Sequence, residues 1–239
     1  MPKHKHCYEW PRPAVTVDIA LFTVAGELNE LRLQVLLIER DEEPWRGQWA
    51  LPGGFVRENE DLVAAARREL AEEAGVTAVT LAQVGAVGTP GRDTRGHVIT
   101  IVYVGLTAGD RHRLIARGDA RAARWFDVSS AVPLPLLAFD HTRLLDMALS
   151  QLRQRLGEAP LCSELLPDTF TLSELQVLTE AILGRKLDRR NFRRKVQEVP
   201  LVEPVQGQRR GGVHRPAQLF RFVPESFARA SGREQPAPF

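Results

Sequence analysis

The stretch "GGFVRENEDLVAAARRELAEEAGV", residues 53–76, constrains this chain more than any other. Leu62, Ala66, Leu70 and Ala74 recur every four residues from Asp61 on, and Gly75 supplies a stop, so the spacing predicts one short helix. On that helix Glu69, Glu72 and Glu73 stand at i, i+3 and i+4, which puts three carboxylates on one face. Like charges so placed repel by about a few tenths of a kcal/mol per pair, and a cation between them removes the penalty. Oxygen-only ligation points to a hard ion, Mg²⁺ or Mn²⁺, of the kind that keeps waters and shares itself with substrate phosphates. A solvated helix face is the alternative, and three glutamates alone favour it.

The neighbouring residues reverse that balance. Gly54, five residues, Glu60, seven residues and then Arg68-Glu69-Leu70-Ala71-Glu72-Glu73-Ala74-Gly75-Val76 form a 23-residue motif with nine specified positions, none of them substituted. At these positions, and in the approach "RGQWALPGG", the chain resembles the Nudix hydrolase superfamily. The resemblance implies metal-assisted attack of water on a nucleoside diphosphate linked to another group. Carried over by position, Glu69, Glu72 and Glu73 would ligate Mg²⁺ or Mn²⁺. Glu69 is a candidate for polarising the water, and Glu73 and Arg68 belong to the catalytic set. Arg68 would orient a glutamate such as Glu60, and Gly54 would admit close backbone approach to metal or phosphate. The loop "GTPGRDTRGHV" resembles its counterpart in ADP-ribose pyrophosphatases and their regulatory relatives. There Arg92 and Arg95 would meet phosphate or ribose and Asp93 would be an extra acid; an ordinary surface turn is the alternative. Asp93, Asp110 and Asp119 stay open as the base.

Around the motif, residues 14–24, 31–40 and 48–56 read as strands, the last interrupted by Pro-Gly-Gly. "VTLAQVGAVG" and "HVITIVYVGLTA" are two more, "ARWFDV" is a short last one, and residues 139–156 form an amphipathic helix. This is an α+β fold, expected as the α/β/α sandwich of the Nudix domain over residues 1–156. Periodicity fails over 157–168, the expected linker. "TFTLSELQVLTEAILG" then opens with a capping box, Thr171 to Glu174, and closes at Gly184. Asp188 can cap a second helix, "RRNFRRKVQEV", with Phe192, Val196 and Val199 as its apolar edge. "LVEPV", the loop "QGQRRGGVHRPA" and "QLFRFV" read as strand, basic turn and strand. Together 169–223 have the outline of a winged helix-turn-helix, with 224–239 a disordered tail.

Charge points to a polyanion partner for this second half, with a solvated basic surface as the equal alternative. Residues 1–159 hold 19 Lys+Arg against 21 Asp+Glu, a balance of −2, whereas 184–221 hold 11 against 3, a balance of +8. Arg189, Arg190, Asn191, Arg193, Arg194 and Lys195 would line the helix that enters a major groove, and Arg209, Arg210 and Arg215 would sit at the wing tip. The second half also resembles the C-terminal winged helix of Nudix-related transcriptional regulators of NAD metabolism, so one family covers roughly residues 8–222. That resemblance implies a dimeric repressor whose Nudix domain senses ADP-ribose and whose winged helices then release a double-stranded DNA operator. Many such regulators have lost motif residues. This chain keeps them, so hydrolysis of ADP-ribose to AMP and ribose 5-phosphate is expected alongside sensing. An ADP-ribose pyrophosphatase with an accessory winged helix is the second reading, and an RNA-binding protein the third.

The remaining signals are weaker. Two cysteines, Cys7 and Cys162, build no disulfide framework, no apolar run reaches membrane-span length and no signal peptide opens the chain, so a cytoplasmic protein without membrane contact is expected. His4, His6 and Cys7 make a poor metal site. Trp10, Trp45, Trp49 and Phe22 could stack a base, with packing the stronger expectation for each.

Overall fold

The computed structural model describes residues 9–27, 30–109, 112–128, 133–157, 165–198, 202–210 and 217–223. His4, His6, Cys7, Asp110, Cys162, Val199, Arg215 and the tail 224–239 lie outside them, as do the side chains of Arg209 and Arg210. Strands β1 (Ala14–Ala25) and β2 (Arg32–Arg40) come first, followed by the short β3 (Trp49–Ala50) and β4 (Gly53–Phe55). Helix α1 (Leu62–Ala74) leads to β5 (Leu81–Val87), β6 (Val98–Leu106) and β7 (Ala120–Asp127). Helix α2 (His141–Gln154) ends this part in a 3₁₀ turn, Arg155–Gly157.

These strands make one mixed seven-stranded sheet, split where it matters. β1 runs parallel to β6 along nearly its whole length, but its other edge is shared. Phe22–Ala25 pair antiparallel with β2, whereas Thr16–Asp18 pair with β4. β2 diverges to pair with β3 at Ile38 and Glu39, and with β7 on its far side. The interrupted strand of the sequence reading is thus two strands with different partners. The Leu51-Pro52 step between them crosses the gap between β1 and β2.

Alternation along β1 explains the sandwich. Val17, Ile19 and Leu21 pack with Ala65, Ala66, Leu70 and Ala74 of α1 on one face. Ala20 and Phe22 pack with Leu144, Leu145, Ala148 and Leu152 of α2 on the other. The α/β/α arrangement therefore follows from period-2 strands buried on both faces. Phe22 is completely buried here, which rules it out as a base-stacking residue.

The second half folds around its own cluster. Helix α3 (Leu172–Leu183) carries the capping box, with Thr171 N–H donating to Glu174 at 2.7 Å and Glu174 N–H donating to the Thr171 hydroxyl at 3.2 Å. Helix α4 (Arg189–Glu198) is capped by Asp188, which accepts from Asn191 N–H at 2.9 Å. Phe170, Leu172 and Leu175 bury Phe192 and Val196 between them, and the hairpin of β8 (Val202–Arg210) and β9 (Ala217–Phe222) closes the cluster. Phe170 and Phe220 exchange two backbone hydrogen bonds, tying the hairpin to the start of α3.

The sequence reading put Gln206–Arg210 in a loop, and that is corrected. β8 continues to Arg210 after an irregularity between Pro204 and Arg209, because pairing resumes with Gln218 and Ala217. That ladder satisfies backbone groups which a loop leaves to water. Within the expected linker, Leu165 and Leu166 pack against the apolar clusters. Among the described residues no helix is long and apolar enough to cross a membrane.

Candidate functional site

The split in the sheet creates an open cleft of about 430 Å³, walled by the Pro-Gly-Gly turn, the acidic face of α1, the loop carrying Arg92–Arg95 and the head of α2. Helix α1 begins cleanly because Asp61 accepts from the N–H groups of Val63 and Ala64, and it ends at Gly75 in the left-handed region. Those caps fix its register, and with it the direction of every glutamate.

Arg68 organises the motif. Its guanidinium meets Glu60 through two hydrogen bonds, Nε to Oε1 at 2.6 Å and Nη2 to Oε2 at 2.8 Å. Nη1 donates to Glu69 at 2.6 Å and to Glu72 at 3.3 Å, and Nη2 also reaches the Phe55 carbonyl. The Arg68 hydrogen bonds, helped by Arg57 N–H, hold the Glu60 carboxyl down to about 2, and the same pairing raises the Arg68 pKa. Glu69 and Glu73 behave in the opposite way. Burial pushes Glu69 up despite its hydrogen bond from Arg68. Burial also drives Glu73 up to about 8, with the N–H of Gly53 at 2.8 Å opposing and Glu69 reinforcing the rise. Two buried carboxyls side by side fit a hard cation, whose charge would favour their ionised forms.

Glu72 is different. Its carboxylate is half-exposed and occupied by Arg57 at 3.2 Å as well as by Arg68. Among the described residues no three His, Cys, Asp or Glu side chains converge as a ready metal cage. The donor set nevertheless fits Mg²⁺ or Mn²⁺, which need only one or two carboxylates when waters and phosphate oxygens complete the shell.

Two glycines make the geometry possible. A Cβ on Gly53 would overlap the Val17 carbonyl oxygen and lie 2.8 Å from Asp18 Oδ1, whereas the three atoms nearest a Cβ on Gly54 all belong to the Glu69 carboxylate. Gly53→Ala is therefore expected to cost about 3 kcal/mol or more in stability, because a backbone oxygen cannot step aside. Gly54→Ala is expected to leave the melting temperature nearly unchanged and to displace Glu69. Thermal unfolding of the two variants side by side checks this, and equal destabilisation would contradict it.

All three loop residues, Arg92, Asp93 and Arg95, line the cleft. Arg92 is buried: Nη2 and Nε donate to Asp140 at 2.7 and 3.1 Å, and Asp18 lies 3.7 Å away. It belongs to the wall of the cleft. Asp93 is tied to Arg95 at 2.7 Å. Burial disfavours its charge, but the hydrogen bonds from Arg95 outweigh that and keep the carboxyl below its usual value. Arg95 spends Nε and Nη2 on Asp93, which leaves Nη1 for a ligand. Asp119 also lines the cleft.

Sequence reasoning missed much of the cleft, Phe55, Phe139, Arg40, Asp18 and His141 among it. Phe55, 42% exposed at the mouth, and Phe139 flank the Arg95 guanidinium, whose centre stands 4.7 and 5.1 Å from their ring centroids. Arg40 lies over Phe139 at 5.1 Å. Asp18 accepts from the Thr100 hydroxyl at 2.6 Å and faces His141 at 3.5 Å. His141 Nδ1 accepts the N–H of Leu51 at 3.0 Å, so its proton sits on Nε2, and burial lowers its pKa. One signal was available for Phe139 only in the backbone: it adopts φ 53°, a left-handed conformation rare for a bulky residue. Of the tryptophans considered, Trp45 meets Phe139 edge-on at 6.1 Å, Trp49 packs edge-on against Phe126 at 4.6 Å and Trp10 is exposed.

A second surface lies on α4. Phe192 and Val196 point inward, while Arg189, Arg190, Asn191, Arg193, Arg194 and Lys195 are all exposed. Arg194 pairs with Glu198 at 3.7 Å and Asn191 at 3.5 Å. Among the described residues no ion pair engages Arg189, Arg190, Arg193 or Lys195.

Such a molecule is a Nudix domain joined to a winged helix. Residues 12–147 match the model of the NUDIX domain, and 162–222 match that of the NrtR DNA-binding winged helix domain. The ADPR responsive transcriptional repressor NtrR of Acinetobacter baylyi is 37% identical over 221 residues, spanning 92% of this chain and 86% of that protein. The chain thus belongs to the NrtR family of Nudix-related transcriptional regulators. The structure of Shewanella oneidensis NrtR complexed with a 27mer DNA aligns with a TM-score of 0.72 at 33% identity, over 90% of this chain and 95% of that one. The NUDIX domain of the same protein, complexed with ADP ribose, aligns at 0.54 and 32% identity over 60% of this chain and 90% of that one. An ADP-ribose pyrophosphatase of Methanocaldococcus jannaschii is 39% identical over 133 residues, 56% of this chain and 71% of that protein.

Proposed function

We propose that this protein is a repressor of NAD-metabolism genes that binds duplex DNA through α4 and the β8–β9 wing, and that ADP-ribose in the Nudix cleft releases it. The observation that carries the reading is that one chain holds both an anion-and-base cleft and a helix with five exposed cations. Phe55 offers an exposed aromatic ring to a purine, and Arg40 and Arg95 each offer Nη1 to a diphosphate, their Nε and Nη2 being held by the carbonyls of Pro44 and Glu42 and by Asp93. The A. baylyi relative is named for its response to ADPR, and the S. oneidensis structures contain DNA and ADP ribose. A palindromic operator would be met by two copies of the chain, one winged helix per half-site.

The cleft also supports retained hydrolysis of ADP-ribose to AMP and ribose 5-phosphate. Glu69 and Glu73 would hold Mg²⁺ or Mn²⁺, with Glu72 joining once Arg57 and Arg68 release it. When bound, the ion supplies charge neutralisation at the diphosphate and acidifies a water. Arg68 keeps Glu69 in place while itself anchored on Glu60, and the N–H of Gly53 aims Glu73. Glu69 is the candidate to polarise the water. Asp93, spent on Arg95, is a poor base, and Asp119 is the other acid in the cleft. An enzyme with an accessory winged helix is the second reading, favoured by the intact motif.

Capture of fragments of the source genome by the purified protein, with and without ADP-ribose, separates the two. The expected outcome is selective capture that ADP-ribose reverses. Absence of selective capture, together with Mg²⁺-dependent release of AMP, would make catalysis the function.

A further inference from the structure

Helix α2 touches both sites. At its head, Phe139 and His141 line the cleft, and Asp140 accepts from Nε and Nη2 of the buried Arg92. Its 14 residues extend about 21 Å at 1.5 Å per residue, a rigid rod on this scale. Its inner face shares one apolar cluster with Leu178 and Ile182 of α3, so cleft and winged helix meet a common core. Near its other end, half-buried Arg153 donates from Nε to the carbonyl of Ile182 at 3.1 Å. That carbonyl lies in the last turn of α3, where helix geometry leaves acceptors without a partner and where a cation is favoured.

We infer that α2 couples the cleft to the winged helix, and that Arg153 is the joint through which a shift of α2 moves α3. The inference rests on the ligand-release reading above and deepens it. A ligand that bears on Phe139 or loosens the Arg92–Asp140 pair acts on the head of α2. The apolar packing of Leu152, Leu178 and Ile182 in their common cluster tolerates sliding, because it carries no direction. The Arg153 hydrogen bond does not, because it is made to one carbonyl at one angle. An open groove of about 680 Å³ lies beside the joint, with Leu33, Leu149 and Val177 as well as Arg153, Glu180 and Lys186 on its walls, so α3 is not tightly packed on that side. Coupling of this kind requires an element with two arrangements that both sites bias, and the α2–α3 contact has the grip and the space for it.

The test compares the full-length protein with Arg153→Met, which keeps the apolar stem, and Arg153→Lys, which keeps a cation. Three quantities are read: ADP-ribose affinity by calorimetry, hydrogen exchange of the 172–187 amides with and without ADP-ribose, and affinity for a captured duplex with and without ADP-ribose. Arg153→Met is expected to bind ADP-ribose and the free duplex within about threefold of wild type. Its ADP-ribose-induced change in duplex affinity should shrink at least about tenfold, within the usual range of coupling factors, and the exchange response over 172–187 should disappear. Arg153→Lys should recover part of both. A wild-type response in Arg153→Met overturns the assignment of the joint. Wild-type protein that binds ADP-ribose with no exchange response in 172–187 overturns the coupling while leaving ligand binding intact. Failure to bind ADP-ribose at all sinks both readings, and the calorimetry alone reveals it.

Discussion

Glu73→Gln is expected to abolish the metal response of the protein and to stabilise it without metal at alkaline pH. Glu73 is buried, and its carboxyl is driven up to about 8 from an ordinary 4.5 by desolvation above all. Between those values the folded chain holds a proton that the unfolded chain has released. Stability therefore falls as pH rises through this window, by up to about 1.4 kcal/mol per pH unit for the one group. Glutamine keeps an oxygen to accept the N–H of Gly53 and carries no charge, so the decline attributable to this residue should vanish. Millimolar Mg²⁺ or Mn²⁺ should raise the melting temperature of the wild type at pH 8 and leave the variant unmoved. Turnover of ADP-ribose, where wild type shows it, should drop by at least about 10²-fold, the scale for losing one electrostatic group at a reacting centre. Thermal unfolding from pH 5 to 9, with and without metal, reads all but the last. A variant that still responds to metal like wild type would remove Glu73 from the ligand set.

Local signals were the legible part of the fold. Asp61, Gly75, Thr171 with Glu174, Gly184 and Asp188 each marked a helix end that the structure has, because a cap is decided within about four residues. Strand partners were not legible. The β-branched, apolar run of β1 marks a buried strand, but nothing in it says that β1 lies parallel to β6 or gives its other edge to both β2 and β4. The cleft exists because of that shared edge.

The site divides in the same way. Glu60, Arg68, Glu69, Glu72 and Glu73 lie within 14 positions, so a spacing motif can encode them. The opposite wall is assembled from afar: Arg92 finds Asp140 48 residues on, and Leu51 finds His141 90 residues on. Arg92 shows what a spacing motif leaves out: the loop reads as glycines and charges, but not which carboxylates a buried guanidinium there must find, and in the fold Asp140 and Asp18 supply them. Phe55 and Phe139 were invisible for the converse reason, since a lone aromatic residue carries no pattern until folding sets two of them around Arg95.

The basic helix gives the other large effect. Arg190→Ala with Arg193→Ala should leave the fold intact, because both side chains are exposed, α4 is anchored by Phe192 and Val196, and alanine favours helix at least as well as arginine. Duplex affinity should fall by about two to four orders of magnitude, from roughly 1.5–3 kcal/mol per charge-assisted hydrogen bond. Affinity alone does not say what was lost. Each arginine on a phosphate releases a counterion, so each should lower the slope of log K against log salt by about 0.9. An arginine on a guanine edge should instead cost affinity for the selected duplex and little for a scrambled one. A slope reduced by about two, with equal losses on both duplexes, makes these residues backbone anchors. An unchanged slope with the loss confined to the selected duplex makes them readers of sequence. Wild-type affinity in the double variant would mean that this face of α4 does not meet DNA at all, and that the five cations need another explanation.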